Sequence, residues 1–240
     1  IVMRLVGSEM CIRDSIRYET ESLICAAQEQ ALATNYTRSK IWGSGKSSKC
    51  RLCKEQNETV HHIVSGCKML CGTQYLYRHN QVAKYIHWKI LKDLNVKVSE
   101  SWLAHEPTEV TLKNGIKVLW DSYIITDKKV PHNRPDIIIY DTNLRECLLI
   151  DVAIPVCTNI VKKEAGKITK YRYLEIKIQK CWNLKKVRTI PIVIGALGST
   201  CIGIEGYMEV ISKNLNFDVI QRTAIMGSAH ILRNFLTPHN

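Results

Sequence analysis

The chain has 240 residues, 45% of them hydrophobic, so it is long enough to bury a core without disulfide staples. Its 34 basic and 22 acidic residues give a formal net charge of +12, which favours a polyanionic partner such as nucleic acid. Apolar runs stay well short of the ~20 residues of a membrane span and the N-terminus has no signal-peptide layout, so we expect a soluble protein with no membrane partner.

The N-terminal segment calls for separate treatment. Residues 6–15, VGSEMCIRDS, resemble translated sequencing-adapter sequence. We therefore predict that residues 1–15 are a non-native segment that takes no part in the fold, and we expect the chain to be a piece of something longer. Residues 16–48 are predicted to form a helix and a linker. Ala, Gln, Glu and Leu favour a helix over residues 19–42, and the loop at 43–48 ends it.

Residues 49–108 begin with a cluster of cysteine and histidine. The spacing C-x2-C-x8-H-x4-C is met by Cys50, Cys53, His62 and Cys67. Four such ligands within ~18 residues can enclose one tetrahedral zinc ion, which would be structural because no coordination position stays open. His61 is a competing ligand, Cys71 is a spare thiol, and a chance cluster is the alternative. The C-x-x-C pair beside histidines also indicates reduced thiols and an intracellular site.

Secondary-structure signals change along the rest of the chain. Residues 74–93 are predicted to be helical and to extend the zinc segment. From residue 109 to 240 the order of elements is typical of an α/β sandwich with a mixed sheet. The elements expected there are strands at 118–125, 137–140, 147–150 and 189–194 and helices at 162–184, 201–213 and 217–236.

Two aspartates stand at the ends of neighbouring strands. Asp136 precedes the run at 137–140, and Asp151 follows the run at 147–150 after a polar turn. In an antiparallel hairpin the start of one strand lies beside the end of its partner, so the two carboxylates are expected to meet. They would repel each other unless a cation lay between them, and a hard divalent ion with oxygen ligands is the usual cation. The pattern indicates a metal-dependent phosphodiesterase; the alternative is two satisfied strand-end acids.

A basic helix follows the second aspartate. Its lysines are Lys162, Lys163, Lys167 and Lys170. Lys167 and Lys170 are three residues apart and share a face, so at least one is expected to point toward the acids. Lys162, Lys163 and Arg134 are the candidate nucleic-acid contacts, although a solvated helix face is the alternative. Tyr171 is expected to belong to the core.

At these residues the sequence resembles the C-terminal part of a non-LTR retrotransposon polyprotein, from the subgroup with a restriction-like endonuclease after its reverse transcriptase. The resemblance covers residues 19–236. It rests on the CCHC knuckle and on the segments 19–32, 78–80, 87–88, 133–136, 150–155, 167–171 and 191–198. It implies an N-terminal helix and a small zinc knuckle followed by a restriction-endonuclease-like α/β domain of the PD-(D/E)xK type.

The resemblance also implies a function. Mg²⁺ or Mn²⁺ would bind at Asp136 and Asp151, and the protein would nick chromosomal target DNA in the nucleus to prime reverse transcription, with element RNA as a second candidate partner. Because Ala153 stands where many such nucleases have a lysine, Lys167 or Lys170 would take that role.

Two departures from the family pattern leave alternatives open. Cys157 stands where an acid is expected, and Lys177 stands where a glutamate is expected. Both departures favour a catalytically decayed nucleic-acid-binding clamp with a structural zinc knuckle. A third alternative is a zinc-stabilised protein-interaction domain.

Overall fold

A computed structural model describes residues 17–126 and 130–237, so the adapter-like segment at residues 1–15 lies outside the described residues. The helices in this part of the chain are α1 (Tyr18–Gln28), α2 (Val60–Ser65), α3 (Leu76–Asp93), α4 (Ile160–Cys181), α5 (Ile204–Ile211) and α6 (Phe217–Leu236). The strands are β1 (Val110–Lys113), β2 (Ile116–Trp120), β3 (Ile137–Asp141), β4 (Glu146–Ala153) and β5 (Lys186–Val193).

The strands form one five-stranded sheet in the order β1-β2-β3-β4-β5. The first four strands pair antiparallel, and β4 pairs with β5 in parallel. A parallel pair requires a long crossover, and α4 provides it. The mixed α/β class and the mixed sheet predicted from the sequence are therefore confirmed.

Two predicted elements end earlier than expected. The helix predicted over residues 19–42 ends at Gln28, and a short π-helical turn at Thr37–Ile41 follows separately. Gln30 has a left-handed backbone with φ of 57°, which a right-handed helix cannot continue. The strand predicted over 118–125 ends at Trp120, because Asp121 likewise has a positive φ of 46°.

Both faces of the sheet are buried. Val118, Ile137, Ile150 and Val152 pack with α3, α5 and α6, whereas Ile138 and Leu149 pack with α4 on the other face. Side chains alternate between the two faces of a strand, so Asp151, between Ile150 and Val152, projects on the α4 side. Burial of each large aliphatic side chain stabilises the fold by about 1.5–3 kcal/mol.

The cysteine-rich segment packs on α6 rather than standing apart. Ile63, Val64 and Cys67 share a buried cluster with Ile231 and Phe235. Earlier in α6, a side chain at position 227 would collide with α3, since a Cβ on Gly227 would overlap Cγ of Arg78 and lie 2.9 Å from its Cδ. Among the helices that the structure describes, none combines the length and apolar character that a bilayer crossing requires.

Candidate functional site

The four residues predicted to bind zinc converge, and we name them the Cys/His cluster. Their ligand atoms all lie within 4.8 Å of one another. The Sγ atoms of Cys50 and Cys67 are 3.9 Å apart, and Sγ of Cys53 lies 3.4 Å from Nε2 of His62. A tetrahedral zinc ion with ordinary bond lengths would separate two thiolates by about 3.8 Å and a thiolate from a ring nitrogen by about 3.5 Å. The donor set therefore fits a metal such as zinc.

Local structure explains why His62 joins the cluster. Thr59 caps α2, and its hydroxyl accepts a hydrogen bond from the backbone N–H of His62 at 3.1 Å. Burial lowers the pKa of His62, which favours the neutral imidazole that binds metal. Burial also raises the pKa of Cys67 to about 11, so a metal ion would have to displace the thiol proton. The competing His61 and the exposed Cys71 lie outside the cluster.

A buried carboxylate fixes the segment that carries the first two cysteines. Glu58 is fully buried, and its carboxylate accepts hydrogen bonds from the backbone N–H groups of Asn35 and Arg51 at 2.8 and 2.7 Å. The Arg51 guanidinium adds bonds at 2.7 and 3.0 Å and stacks on the ring of Phe235. Burial alone would raise the pKa of Glu58, but the bonds from Arg51 and Asn35 lower it below the ordinary value of 4.5.

Replacing Glu58 by glutamine is expected to lower the free energy of unfolding by about 2 kcal/mol at pH 7, because it removes charge-assisted hydrogen bonds inside the protein. A carboxylate with a depressed folded-state pKa stabilises the fold above its unfolded pKa and loses that effect as the pH falls through the folded pKa. The deficit should therefore shrink as the pH falls below about 4.5. Urea unfolding across this range measures it, with the exposed Glu55→Gln as control; a deficit independent of pH would contradict the assignment.

The two aspartates, which we name the acid pair, lie at the end of the β3–β4 hairpin. The register pairs Ile137 with Ile150, so the next opposed positions are Asp136 and Asp151. Oδ2 of Asp136 accepts the backbone N–H of Val152 at 2.6 Å. Because β3 begins only at Ile137, the amide of Val152 has no backbone partner on β3. The carboxylate of Asp136 accepts its hydrogen bond instead.

Residues from α4 surround the second acid. Asp151 is only 2% exposed and forms an ion pair with Lys167, and Nζ of Lys170 lies 3.5 Å from its Oδ1. The hydroxyl of Tyr171 also donates to Asp151, and it lies 2.8 Å from Nζ of Lys170 and 3.1 Å from the carbonyl oxygen of Arg134. Burial and the charge of Asp151 raise the pKa of Tyr171 far above its ordinary value, so the hydroxyl keeps its proton.

A histidine from α3 contacts the first acid. Nε2 of His79 lies 3.0 Å from Oδ2 of Asp136 and 3.2 Å from the carbonyl oxygen of Val152. Burial opposes charge on His79. The hydrogen bond to Asp136 and the negative charge of Asp136 outweigh this and raise the pKa of His79 to about 9. Burial likewise opposes ionisation of Asp136, yet His79, the Val152 amide and Lys167 lower its pKa. At neutral pH an imidazolium therefore faces a carboxylate.

The acid pair offers the oxygen donors that a hard divalent ion requires. Magnesium is commonly held by one or two carboxylates, with water and substrate phosphate completing the shell, so the chemistry of Asp136 and Asp151 fits. Within residues 17–126 and 130–237, however, the Cys/His cluster is the one group of three or more His, Cys, Asp or Glu ligands. A metal ion at the acid pair would therefore need water or substrate oxygens to complete its coordination. It would also compete with His79 and Lys167 for the two carboxylates.

The predicted nucleic-acid contacts lie beside the acid pair. Four of the α4 lysines, Lys162, Lys163, Lys167 and Lys170, line an open groove of about 510 Å³. Asn159 and Gly166 line it as well. Asn159 also borders a groove of about 400 Å³ next to the Cys/His cluster, which Gln56 and His61 line. Arg134 instead bonds Asp121 at 2.7 Å and stacks on Tyr123, with 44% of its side chain exposed. The lysines form one surface, whereas the charge of Arg134 is already paired.

The two residues that depart from the pattern of the resembled family, Cys157 and Lys177, precede and follow the groove residues in the chain. Cys157 belongs to a 3₁₀ turn at Cys157–Asn159 and packs toward Gly195. Lys177 is on α4, with its ammonium 5.8 Å from the ring centre of Tyr173. The neighbouring Glu175 is buried and accepts the backbone N–H of Thr189 at 2.7 Å, so it supports β5.

Sequence reasoning missed two side chains at the acid pair. His79 contacts Asp136 across 57 positions of sequence, and its only signal was membership of a segment in the family resemblance. Tyr171 was expected in the core and is indeed buried, but its hydroxyl reaches Asp151. A tyrosine directly after Lys170, on a helix already assigned to the acid pair, was the available signal.

No protein-family model matches the chain, and no curated protein matches it. The resemblance to a retrotransposon endonuclease therefore stays an expectation from sequence motifs.

Proposed function

We propose that the chain is a Mg²⁺- or Mn²⁺-dependent DNA endonuclease with a restriction-endonuclease-like fold. Its biological role would be to nick target DNA in the nucleus for target-primed reverse transcription, as a fragment of a non-LTR retrotransposon polyprotein. The single observation that carries the proposal is the convergence of Asp136, Asp151 and Lys167 from two strands and a helix. An acid pair with a lysine is the side-chain set that metal-assisted phosphodiester hydrolysis uses.

The acid pair, the two nearest lysines and Tyr171 would have different roles in the reaction. A divalent ion at Asp136 and Asp151 would polarise the scissile phosphate and lower the pKa of a bound water molecule. Lys167 and Lys170 would then stabilise the negative charge that develops on the phosphoryl oxygens. The buried hydroxyl of Tyr171, which donates to Asp151, would keep that carboxylate in one orientation.

The lysine groove supports a nucleic-acid substrate. Lys162, Lys163, Lys167 and Lys170 line this one groove, and the last two reach Asp151 of the acid pair. Phosphates bound along this groove would lead the backbone of the nucleic acid toward Asp151. The adjoining groove at Asn159 and Gln56 offers amide groups, which can hydrogen-bond base edges.

Removing Lys162 and Lys163 together is expected to weaken DNA binding equally for all sequences, because phosphate contacts carry no sequence information. The slope of log affinity against log salt should become shallower by about two, since each lysine contact contributes roughly one. Fluorescence anisotropy with a labelled duplex at several salt concentrations measures this. The control removes two lysines beyond the groove, Lys180→Ala with Lys185→Ala, and an equal change in both double variants would contradict the groove assignment.

A nicking assay tests the proposed activity. The protein is incubated with supercoiled plasmid in Mg²⁺, Mn²⁺, Ca²⁺ or EDTA, and conversion to the open circular form is followed on a gel. We expect conversion in Mg²⁺ or Mn²⁺ and none in EDTA. Zinc-loaded protein that binds DNA with a steep salt dependence but nicks nothing would reject the nuclease and support the clamp.

One observation favours that second candidate, the nucleic-acid-binding clamp. His79 and Lys167 already balance the charges of Asp136 and Asp151, so the acid pair can persist in the folded protein with no metal ion. In this alternative the groove and the Cys/His cluster retain nucleic-acid binding, and the acid pair only joins α3 and α4 to the sheet.

A further inference from the structure

The beginning of α3 contacts both the Cys/His cluster and the acid pair. Tyr75 directly precedes the helix, and Arg78 and His79 lie in its first turn. Residues three and four apart are neighbours on a helix surface, so Arg78 and His79 lie on either side of the direction in which Tyr75 projects. The guanidinium carbon of Arg78 lies 5.3 Å from the ring centre of Tyr75, which makes them a packed unit.

Tyr75 binds the backbone of the metal-ligand segment. Its hydroxyl accepts the N–H of Cys67 at 3.1 Å and donates to the carbonyl of Ile63 at 2.7 Å, with the carbonyl of His62 at 3.1 Å. Cys67 and His62 are two of the four ligands in the cluster. A metal ion bound by these residues would fix the conformation of both, and with it the position of this one hydroxyl.

Arg78 and His79 bind the strand end that carries Asp151. Arg78 is 2% exposed and donates to the hydroxyl of Ser228 at 2.7 Å and to the carbonyl of Ile154 at 3.4 Å. His79 contacts the carboxylate of Asp136 and the carbonyl of Val152. The two side chains thus hold alternate carbonyl groups of the segment just after Asp151, and His79 also fixes the other acid.

We propose that His79 is a positioning residue for Asp136, and that zinc bound at the Cys/His cluster holds His79 in place through Tyr75 and the first turn of α3. Occupancy of the structural metal site would thereby set the geometry of the acid pair. The contacts support this coupling without any nuclease activity, whereas its consequence for nicking rests on the proposed function.

The backbone amide of Val152 gives a direct readout of this coupling. It donates to Oδ2 of Asp136 at 2.6 Å, so its hydrogen exchange slows only while Asp136 stays in position. Exchange at this amide can be measured by NMR or by mass spectrometry with fragmentation, with no nucleic acid present. The measurement is therefore independent of nuclease activity.

The variants separate the coupling from general loss of structure. Tyr75→Phe keeps the ring and removes the hydroxyl that contacts the cluster. Tyr77→Phe is the matched control, because Tyr77 is a 59% exposed tyrosine in the same turn. His79→Ala removes the contact to Asp136, whereas His79→Gln retains an amide donor that can restore it. Zinc content and thermal unfolding of every variant are measured alongside.

We expect Tyr75→Phe to retain zinc and to speed exchange at Val152 about five- to tenfold, the effect of losing roughly one hydrogen bond. His79→Ala should match it, His79→Gln should recover most of the protection, and Tyr77→Phe should behave as the unmodified protein. In nicking, Tyr75→Phe and His79→Ala should lower kcat with little change in KM for DNA. Equal exchange at Val152 in Tyr75→Phe and Tyr77→Phe would overturn the coupling. If the unmodified protein does not nick DNA, the proposed function is rejected. The exchange measurement at Val152 would still decide whether the coupling exists.

Discussion

Replacing Asp136 by asparagine is expected to reduce Mg²⁺-dependent nicking by at least about 10²-fold, because the charge stabilisation supplied by a catalytic metal is several kcal/mol. The asparagine side-chain oxygen can still accept the N–H of Val152, so the end of the hairpin should stay folded. DNA affinity should change little, since the groove lysines remain. The ratio of single-turnover rates at saturating protein measures the effect on the chemical step alone.

Asp141→Asn is the matched control for this prediction. Asp141 stands at the opposite end of β3, where its carboxylate accepts the N–H groups of Asn143 and Leu144 in the turn. Asparagine supports the same turn, so this variant should nick DNA at the unmodified rate. Equal nicking by Asp136→Asn and Asp141→Asn would remove the acid pair from the reaction. A loss of DNA binding in parallel with nicking would instead assign Asp136 a structural role.

Removing zinc from the Cys/His cluster should have the largest effect on stability. Structural zinc sites contribute about 10 kcal/mol or more of binding free energy, which becomes folding free energy. Cys67 and Ile63 pack against Ile231 and Phe235, so loss of the metal should loosen α6 as well as its own segment. We expect chelation, or Cys50→Ser, to lower Tm by more than about 10 °C, since each kcal/mol shifts Tm by roughly 2–4 °C for a chain of this size.

The control for the zinc prediction is Cys71→Ser, which removes an exposed thiol four residues beyond the last ligand. It should bind one zinc ion per chain and unfold at the unmodified temperature. Metal analysis of freshly purified protein gives the stoichiometry, and thermal unfolding followed by circular dichroism gives Tm. A chain purified without zinc that unfolds at the same temperature before and after chelation would show that the cluster is not a metal site.

The features that could be predicted from the sequence are those encoded locally. The strands β3 and β4 are short apolar runs on either side of a polar turn, and this arrangement predicts that Asp136 opposes Asp151, as the register shows. The helix α4 carries apolar residues at three- and four-residue spacings, and the C-x2-C-x8-H-x4-C pattern brings its ligands together over 18 residues. In each case the interacting groups are close in sequence.

The features that could not be predicted depend on packing between distant segments or on single backbone angles. β1 was missed because its four residues are exposed or half-exposed, so no hydrophobic alternation marks it. The ends of α1 and β2 follow from left-handed residues, Gln30 and Asp121, of types that also occur inside regular elements. His79 reaches Asp136 only because α3 packs across the sheet.

The close approach of α6 to α3 gives the molecule a mutational weak point far from any polar chemistry. Gly227 has no side chain, and the aliphatic part of Arg78 occupies the space that a Cβ at position 227 would need. Even alanine at this position would force the buried Arg78 side chain to move. The Arg78 guanidinium packs on the ring of Tyr75 and donates to the carbonyl of Ile154. Substitutions at position 227 should therefore disturb both the Cys/His cluster and the acid pair, although Gly227 belongs to neither.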